Sequence, residues 1–303
     1  MRRARTAFVT AAPLALRSRA LPLCRTLRLY TRLPCRPQAP PQVHRIAPLA
    51  SVQQGTPWNR VRVVENSPEC EDHRYIVVNV GVTAERGSLC DEYRVPGMFV
   101  QMRLSPEEKP SFFALACAPN IAGYFEFIIK ETESTKSICA VKEGDQVEIS
   151  PIMGKGFPMS KLNLAAYDEQ NKPKDILLFA TGSGIAPIRA AIEARLNGLQ
   201  VAKRRSVKLF YGARYPERMA CRSRFGMWEE DGVEIIPVMS KPEQAAETWT
   251  GRTGYVQHAL KDIGVEHPSQ TAALLCGLKG MTEDVRNILI DAGVPEDRIL
   301  LNF

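Results

Sequence analysis

The sequence predicts an antiparallel β-barrel followed by a doubly wound parallel α/β domain. Two observations carry this reading. Between residues 57 and 160 the apolar segments are short, rich in Val, Ile, Phe and Tyr, and separated by Gly, Pro, Ser and charged turns, with no long helical pattern between them. After residue 175 continuous apolar runs alternate with segments of helical period, the pattern of a parallel sheet covered on both faces.

The barrel strands are expected at "RVRVVE", "YIVVNV", "MFVQMRL", "FFALAC", "YFEFIIK" and "QVEISP". Six such segments make a small barrel or sandwich. Residues 161–174 then form a polar linker, "MSKLNLAAYDEQNKPK" reading as a domain boundary. In 175–303, "DILLFA", "VKLFYGA", "VEIIPVM", "AALLCG" and "RILLNF" are the strands. "PIRAAIEARLNG" places Ile188, Ala191, Ile192 and Leu196 on one helical face before an Asn-Gly stop, and Pro216–Glu230 and Thr282–Ala292 read as further helices.

The +7 net charge of the 303-residue chain is not a nucleic-acid signal. Residues 1–50 hold ten arginines, no lysine and no acidic residue, and the rest carries 30 Lys and Arg against 33 Asp and Glu. The basic character therefore belongs to the leader, whose Arg-rich, acid-free and later Pro-rich composition is that of an organelle transit peptide, for chloroplast or alternatively mitochondrion. No apolar run reaches the length of a membrane span.

Beyond the leader the cysteines are Cys70, Cys90, Cys117, Cys139, Cys221 and Cys276, with no CxxC pair and no spacing for zinc or an iron-sulfur cluster. The four histidines are equally scattered, and no metal site is expected.

"LLFATGSGIAP" runs from a buried strand through Gly182 and Gly184 to Pro187 in the first turn of a helix. Ligands of open parallel sheets bind there, beyond the carboxyl ends of the strands, where free helix amides attract anions. The third glycine of the usual dinucleotide fingerprint is absent, so the turn alone is equally a structural one.

Taken with "LLCGLKGM" at 274–281, "TGSGIAP" resembles the paired nucleotide motifs of the ferredoxin-NADP reductase superfamily, over about residues 57–303. The resemblance implies a flavin domain in the barrel and a pyridine-nucleotide domain after it, with hydride passing from the nicotinamide C4 of NAD(P)H to the flavin N5 of FAD. It implies that Thr181, Gly182, Ser183 and Gly184 wrap nucleotide phosphates and that Cys276 and Gly277 lie beside the nicotinamide. Cys276 also reads as a buried thiol ending a strand. "VMSKPEQ" and "TGRTGYVQ" stand where relatives grip the adenosine end, which assigns Ser240, Lys241, Arg252 and Tyr255 to a 2′-phosphate and leans toward NADP over NAD. An ordinary solvated loop is the alternative for Lys241 and Arg252.

Flavin-binding relatives carry Arg-x-Tyr-Ser on a barrel strand. Here "PSFFALACAP" puts Ser111, Phe113 and Ala114 at those positions, followed by Leu115, so the aromatic platform is kept and the arginine and hydroxyl are not. The second flavin-phosphate motif aligns with Thr132–Thr135, where Thr135 keeps a hydroxyl. Phe303 ends the chain where relatives place an aromatic over the flavin face, and core filling is its other reading.

The expected activity is an FAD-dependent NAD(P)H oxidoreductase passing electrons to an acceptor that is unidentified and is either a small molecule or a protein. The alternative is an NAD(P)-binding regulatory or electron-transfer subunit that has lost tight flavin binding. No catalytic triad or paired-carboxylate motif suggests a competing reaction.

Overall fold

The computed structural model describes residues 57–81, 88–119, 121, 123–162, 172–195 and 198–302. The leader, most of the expected linker, Leu196 and Phe303 lie outside these residues.

The first sheet is built from β1 (Asn59–Cys70), β2 (His73–Gly81), β3 (Phe99–Arg103), β4 (Ser111–Ala114), β5 (Gly123–Lys130) and β6 (Gln146–Ile149). Two single-turn helices, α1 (Leu89–Glu92) and α2 (Lys136–Cys139), interrupt them. The strand order is β4-β3-β6-β1-β2-β5 and every pairing is antiparallel. Period-two alternation sets the faces. Val61 and Val63 are buried while Arg60 before them and Arg62 between them are exposed. Past the edge strand β4, Ala116 N–H donates to the Glu126 carbonyl on β5 at 2.8 Å, drawing the two edges together and closing the barrel. "FFALAC" pairs as a strand only as far as Ala114.

β5 is buried along one face, and on the other, which carries Tyr124, Glu126, Ile128 and Lys130, only Ile128 is buried. Phe125, Phe127 and Ile129 fill the barrel interior, whereas Ile128 belongs to the core under the second sheet. That second sheet contains β7 (Asp175–Thr181), β8 (Ser206–Ala213), β9 (Val233–Met239), β10 (Arg252–Thr253), β11 (Thr271–Cys276) and β12 (Ile299–Leu301), in the order β10-β9-β8-β7-β11-β12 and all parallel. Its helices are α3 (Ile185–Glu193), α4 (Phe225–Glu230), α5 (Val256–Ile263) and α6 (Lys279–Asp291). Ile176, Leu178 and Ala180 of β7 face one core and Leu177 and Phe179 the other. The chain leaves β7 toward β8 on one side and later returns to β11 on the other, which makes the β7/β11 boundary a topological switch point.

Pro216–Glu230 is not one helix. Only Phe225–Glu230 is α-helical, preceded by two separate 3₁₀ turns. The reason is tertiary capture of backbone amides: Ala220 N–H donates to the Tyr211 hydroxyl at 3.2 Å and Cys221 N–H to the Glu69 carboxylate at 2.6 Å. Cys221 adopts a left-handed φ of 63°, which ends any helix there. Among the described residues no helix is long and apolar enough to cross a membrane.

Candidate functional site

Two glycine turns meet at the switch point. Thr181 ends β7, Gly182–Gly184 make one 3₁₀ turn, and α3 follows with Pro187 in its first turn, where no intrahelical N–H is needed. Cys276 ends β11 on the neighbouring strand, and Gly277 leads toward α6. The two turns are packed on each other. A Cβ on Gly184 would fall on the Cys276 carbonyl, and a Cβ on Gly277, whose φ is 151°, would fall on the Thr181 hydroxyl. That hydroxyl accepts from Leu278 N–H at 3.0 Å, tying the turns together.

Their glycines therefore have different reasons to be glycine. Gly182 holds a left-handed φ of 54° with open space where a side chain would stand, its nearest neighbour there being His73 Nε2 at 3.8 Å. Gly184 is required by the second turn. The open face at Gly182 and the N-terminus of α3 leave backbone amides available to an anion.

A cavity of about 680 Å³ opens over these turns, with the barrel as its opposite wall. It brings together Thr181, Gly182, Ser183, Gly184, Cys276 and Gly277 on one side, Ser240, Lys241 and Tyr255 at the adenosine end, and Phe113 and Ala114 on β4. Tyr255 is exposed, its ring edge-on to His258. Ser240 turns its hydroxyl to the Ala213 carbonyl at 3.4 Å.

Three expected positions stand apart from the cavity. Leu115 is fully buried in the barrel core, its N–H donating to the Met98 carbonyl at 3.2 Å. Thr135 uses its hydroxyl locally, donating to the Lys130 carbonyl at 2.6 Å and accepting from Thr132 N–H at 2.9 Å. Arg252 points to Asp262 at 3.6 Å, half-exposed on the edge strand β10. Phe303 lies outside the described residues.

Other cavity residues were not singled out from sequence. Phe112 is 59% exposed and packs edge-on to Phe99, while Phe113, next to it on β4, rests against Phe127 at the edge of the barrel core, and both residues line the cavity. Arg214 and Arg218 follow β8. The rule that parallel sheets bind ligands at their carboxyl ends points to that loop, but only the fold shows that β8 neighbours β7. Lys130, Arg214, Arg218 and Lys241 line the cavity with a single carboxylate, Asp72, so it favours an anion.

Burial pushes the Cys276 thiol up to about 12, so it stands protonated beside the second turn.

Residues 178–287 match the oxidoreductase NAD-binding domain family. The chain is 36% identical over 217 residues to the fruit protein pKIWI502 of Actinidia deliciosa, spanning 68% of this chain and 65% of that protein. It is 27% identical to the phenol hydroxylase P5 protein of Acinetobacter pittii, over 65% of this chain and 53% of that one. The chain thus spans between half and two thirds of these relatives' lengths. A ferredoxin NADP⁺ reductase from Neisseria gonorrhoeae, solved with bound FAD and NADP, superposes with a TM-score of 0.61 at 17% identity, over 80% of this chain and 97% of that one.

The chain has the two-domain fold of that reductase.

That reductase was solved with FAD and NADP, and the two halves of the cavity of this chain would fit such groups unequally. The nucleotide half has the paired turns, a helix N-terminus and a cationic wall. The flavin half keeps an aromatic strand, but Ser111 stands at the superfamily's arginine position, outside the cavity lining, and the Thr135 hydroxyl is engaged in its own turn. The site fits the flavin ring better than the flavin phosphates.

Proposed function

We propose that the protein is an NAD(P)H-dependent flavin oxidoreductase that hands electrons to a separate acceptor. The observation that carries this reading is the single cavity shared by the Thr181–Gly184 turn, the Cys276–Gly277 turn and the aromatic strand β4. Bound FAD would supply the two-electron chemistry, taking hydride from NAD(P)H and releasing electrons onward.

The chain's own residues bind and orient. Backbone amides at Gly182 and Ser183 and the start of α3 hold the nucleotide pyrophosphate. Thr181 keeps the two turns in register, so that Cys276 and Gly277 bound the space for a nicotinamide ring. Phe113 and Phe112 give an apolar surface that excludes water from the opposing ring. Lys241, with Arg214 beside it, presents two cations suited to a 2′-phosphate, which supports NADP. The arginine-rich leader supports import into an organelle, chloroplast or mitochondrion, read out by the location of a fluorescent protein fused behind residues 1–56.

A second reading, an NAD(P)-binding subunit without tightly held flavin, is favoured by Ser111. The visible spectrum of the purified full chain, with and without added FAD, separates the two. Retained flavin that bleaches on anaerobic addition of NADPH or NADH supports the oxidoreductase. A colourless protein that binds NAD(P) and does not retain FAD overturns it in favour of the subunit.

A further inference from the structure

The barrel contributes one polar group to the cavity that no other feature of the site accounts for. His73 opens β2 with its side chain 1% exposed, and it lines the cavity beside Gly182. Its Nδ1 lies 2.7 Å from Asp72 Oδ1, so Nδ1–H donates to that carboxylate and the neutral ring carries its lone pair on Nε2. Nε2 is buried and has no protein partner. A buried, unpaired ring nitrogen costs free energy unless a ligand completes it.

A metal ion is a poor candidate. Cys70, Asp72 and His73 bring three ligand atoms within 4.8 Å of one another, but Lys130 and Arg218 already meet Asp72 Oδ2 at 3.4 and 3.5 Å. Burial also pushes the Cys70 thiol up to about 11, away from the thiolate a metal needs.

The direction of Nε2 points to an anion. It faces Gly182, the open position of the turn whose amides are free to bind phosphate. The charged groups around the ring are Asp72 on its own hairpin, Lys130 across the pairing with β5, and Arg218 from the loop after β8, with the Cys70 thiol 3.3 Å from Nδ1. Two cations and one carboxylate surround a ring that is itself uncharged.

We propose that His73, oriented by Asp72, is a proton-coupled ligand for the pyrophosphate of a nicotinamide dinucleotide seated on the Gly182 turn. This rests on the nucleotide reading of that turn and adds to it a contact from the barrel. In the free protein burial holds the ring's pKa below its ordinary value of 6.5, despite the opposing pull of Asp72. A phosphate oxygen at Nε2 favours the imidazolium, which donates Nε2–H to it, so binding takes up one proton from solvent. Because the bound-state pKa exceeds the free one, the extra affinity is present at low pH. It is lost as pH rises through the bound value.

The test is calorimetric titration of the full chain with NAD⁺ between pH 5.5 and 8.5, in pairs of buffers of different ionisation enthalpy. NAD⁺ has no 2′-phosphate, so the ligand does not titrate in this window. The expected result is uptake of up to one proton and affinity falling by up to about tenfold per pH unit above the free pKa, with a flat profile and no uptake in His73→Gln. A parallel histidine-ring NMR titration of the wild type keeps the proposal testable should the variant fail to fold, and one ring should gain a higher pKa when NAD⁺ is added. Equal pH profiles in wild type and variant, or binding without proton uptake, overturn the role of His73 while leaving the nucleotide reading intact. Failure of NAD⁺ to bind at any pH overturns both. Uptake with FAD but none with NAD⁺ overturns the assignment to the nicotinamide dinucleotide.

Discussion

The guanidinium of Arg189 on α3 pairs with the Glu126 carboxylate on β5, joining the helix behind the glycine turn to the barrel. The same guanidinium meets Glu193 one turn along α3 at 3.2 Å and lies over the Tyr75 ring at 5.6 Å. Its side chain is 3% exposed and the Glu126 and Glu193 side chains only 19% and 17%, so little water is at hand to replace it. Arg189→Met should therefore cost about 3–5 kcal/mol, the penalty for stranding buried charge. Arg252→Met, which breaks the exposed pair with Asp262, should cost no more than about 1 kcal/mol. Chemical denaturation of the two variants checks the contrast, and similar losses would show that Arg189 does not bridge the sheets.

The two glycines of the first turn should respond differently to alanine. Gly184→Ala drives a methyl into the Cys276 carbonyl and must part the two turns, so both folding stability and NAD(P) affinity should fall. Gly182→Ala meets only His73 Nε2 at 3.8 Å, an ordinary contact, so its stability falls by no more than the cost of the left-handed backbone, about 1–2 kcal/mol, while its methyl enters the place of the nucleotide and lowers affinity. Thermal unfolding together with nucleotide titration distinguishes them. Equal losses of stability would show that the packing between the turns is not what Gly184 serves.

How far the sequence revealed this site depends on whether each residue's role is local. The barrel strands and the parallel sheet were legible because Val61, Val63 and the β7 run write their burial into the chain as alternation or continuity. The two nucleotide turns were legible because glycine after a strand is a local signal. What Gly184 serves was not, since its neighbour Cys276 is 92 residues away and becomes adjacent only by the order of β7 and β11. Thr135 and Arg252 had suitable chemistry at suitable positions, and the fold turns one into its own loop and the other toward Asp262. His73 gave no signal at all. Its significance arises from a hairpin turn of the barrel reaching Gly182 in the turn after β7.

Cys276 lines the cavity, yet its chemistry should be quiet. With the thiol pushed up to about 12, its thiolate fraction at pH 7.5 is on the order of a thousandfold below that of an unperturbed cysteine. Iodoacetamide labelling followed by mass spectrometry should find Cys276 modified far more slowly than free cysteine at that pH. Rapid labelling would mean that the thiol is activated, and that its role extends beyond bounding the pocket.

Stability should also carry the mark of His73. An unfolded chain protonates this ring as pH falls below about 6.5, whereas the folded ring resists charge because it is buried. Stability is therefore fully present above that pH and declines as pH falls toward the folded value. His73→Gln should flatten this part of the profile. Melting temperatures of the ligand-free protein from pH 7.5 to 5.5 measure it, and an unchanged slope in the variant would assign the acid sensitivity to another group.

The flavin half of the cavity offers the sharpest gain-of-function test. Ser111 pairs with Met102 on the edge strand β4, two residues before Phe113. Ser111→Arg would restore a guanidinium at the superfamily's position. A charge-assisted contact is worth about 1.5–3 kcal/mol, so FAD affinity should rise by about one to two decades. NAD⁺ affinity should be unchanged, because the glycine turns lie on the opposite wall. Fluorescence titration with each cofactor measures both. A rise for FAD alone would locate the flavin pyrophosphate beside β4 and show that the missing arginine lowers the affinity of the chain for FAD. No change would mean that this chain grips the flavin through other groups or does not grip its pyrophosphate at all.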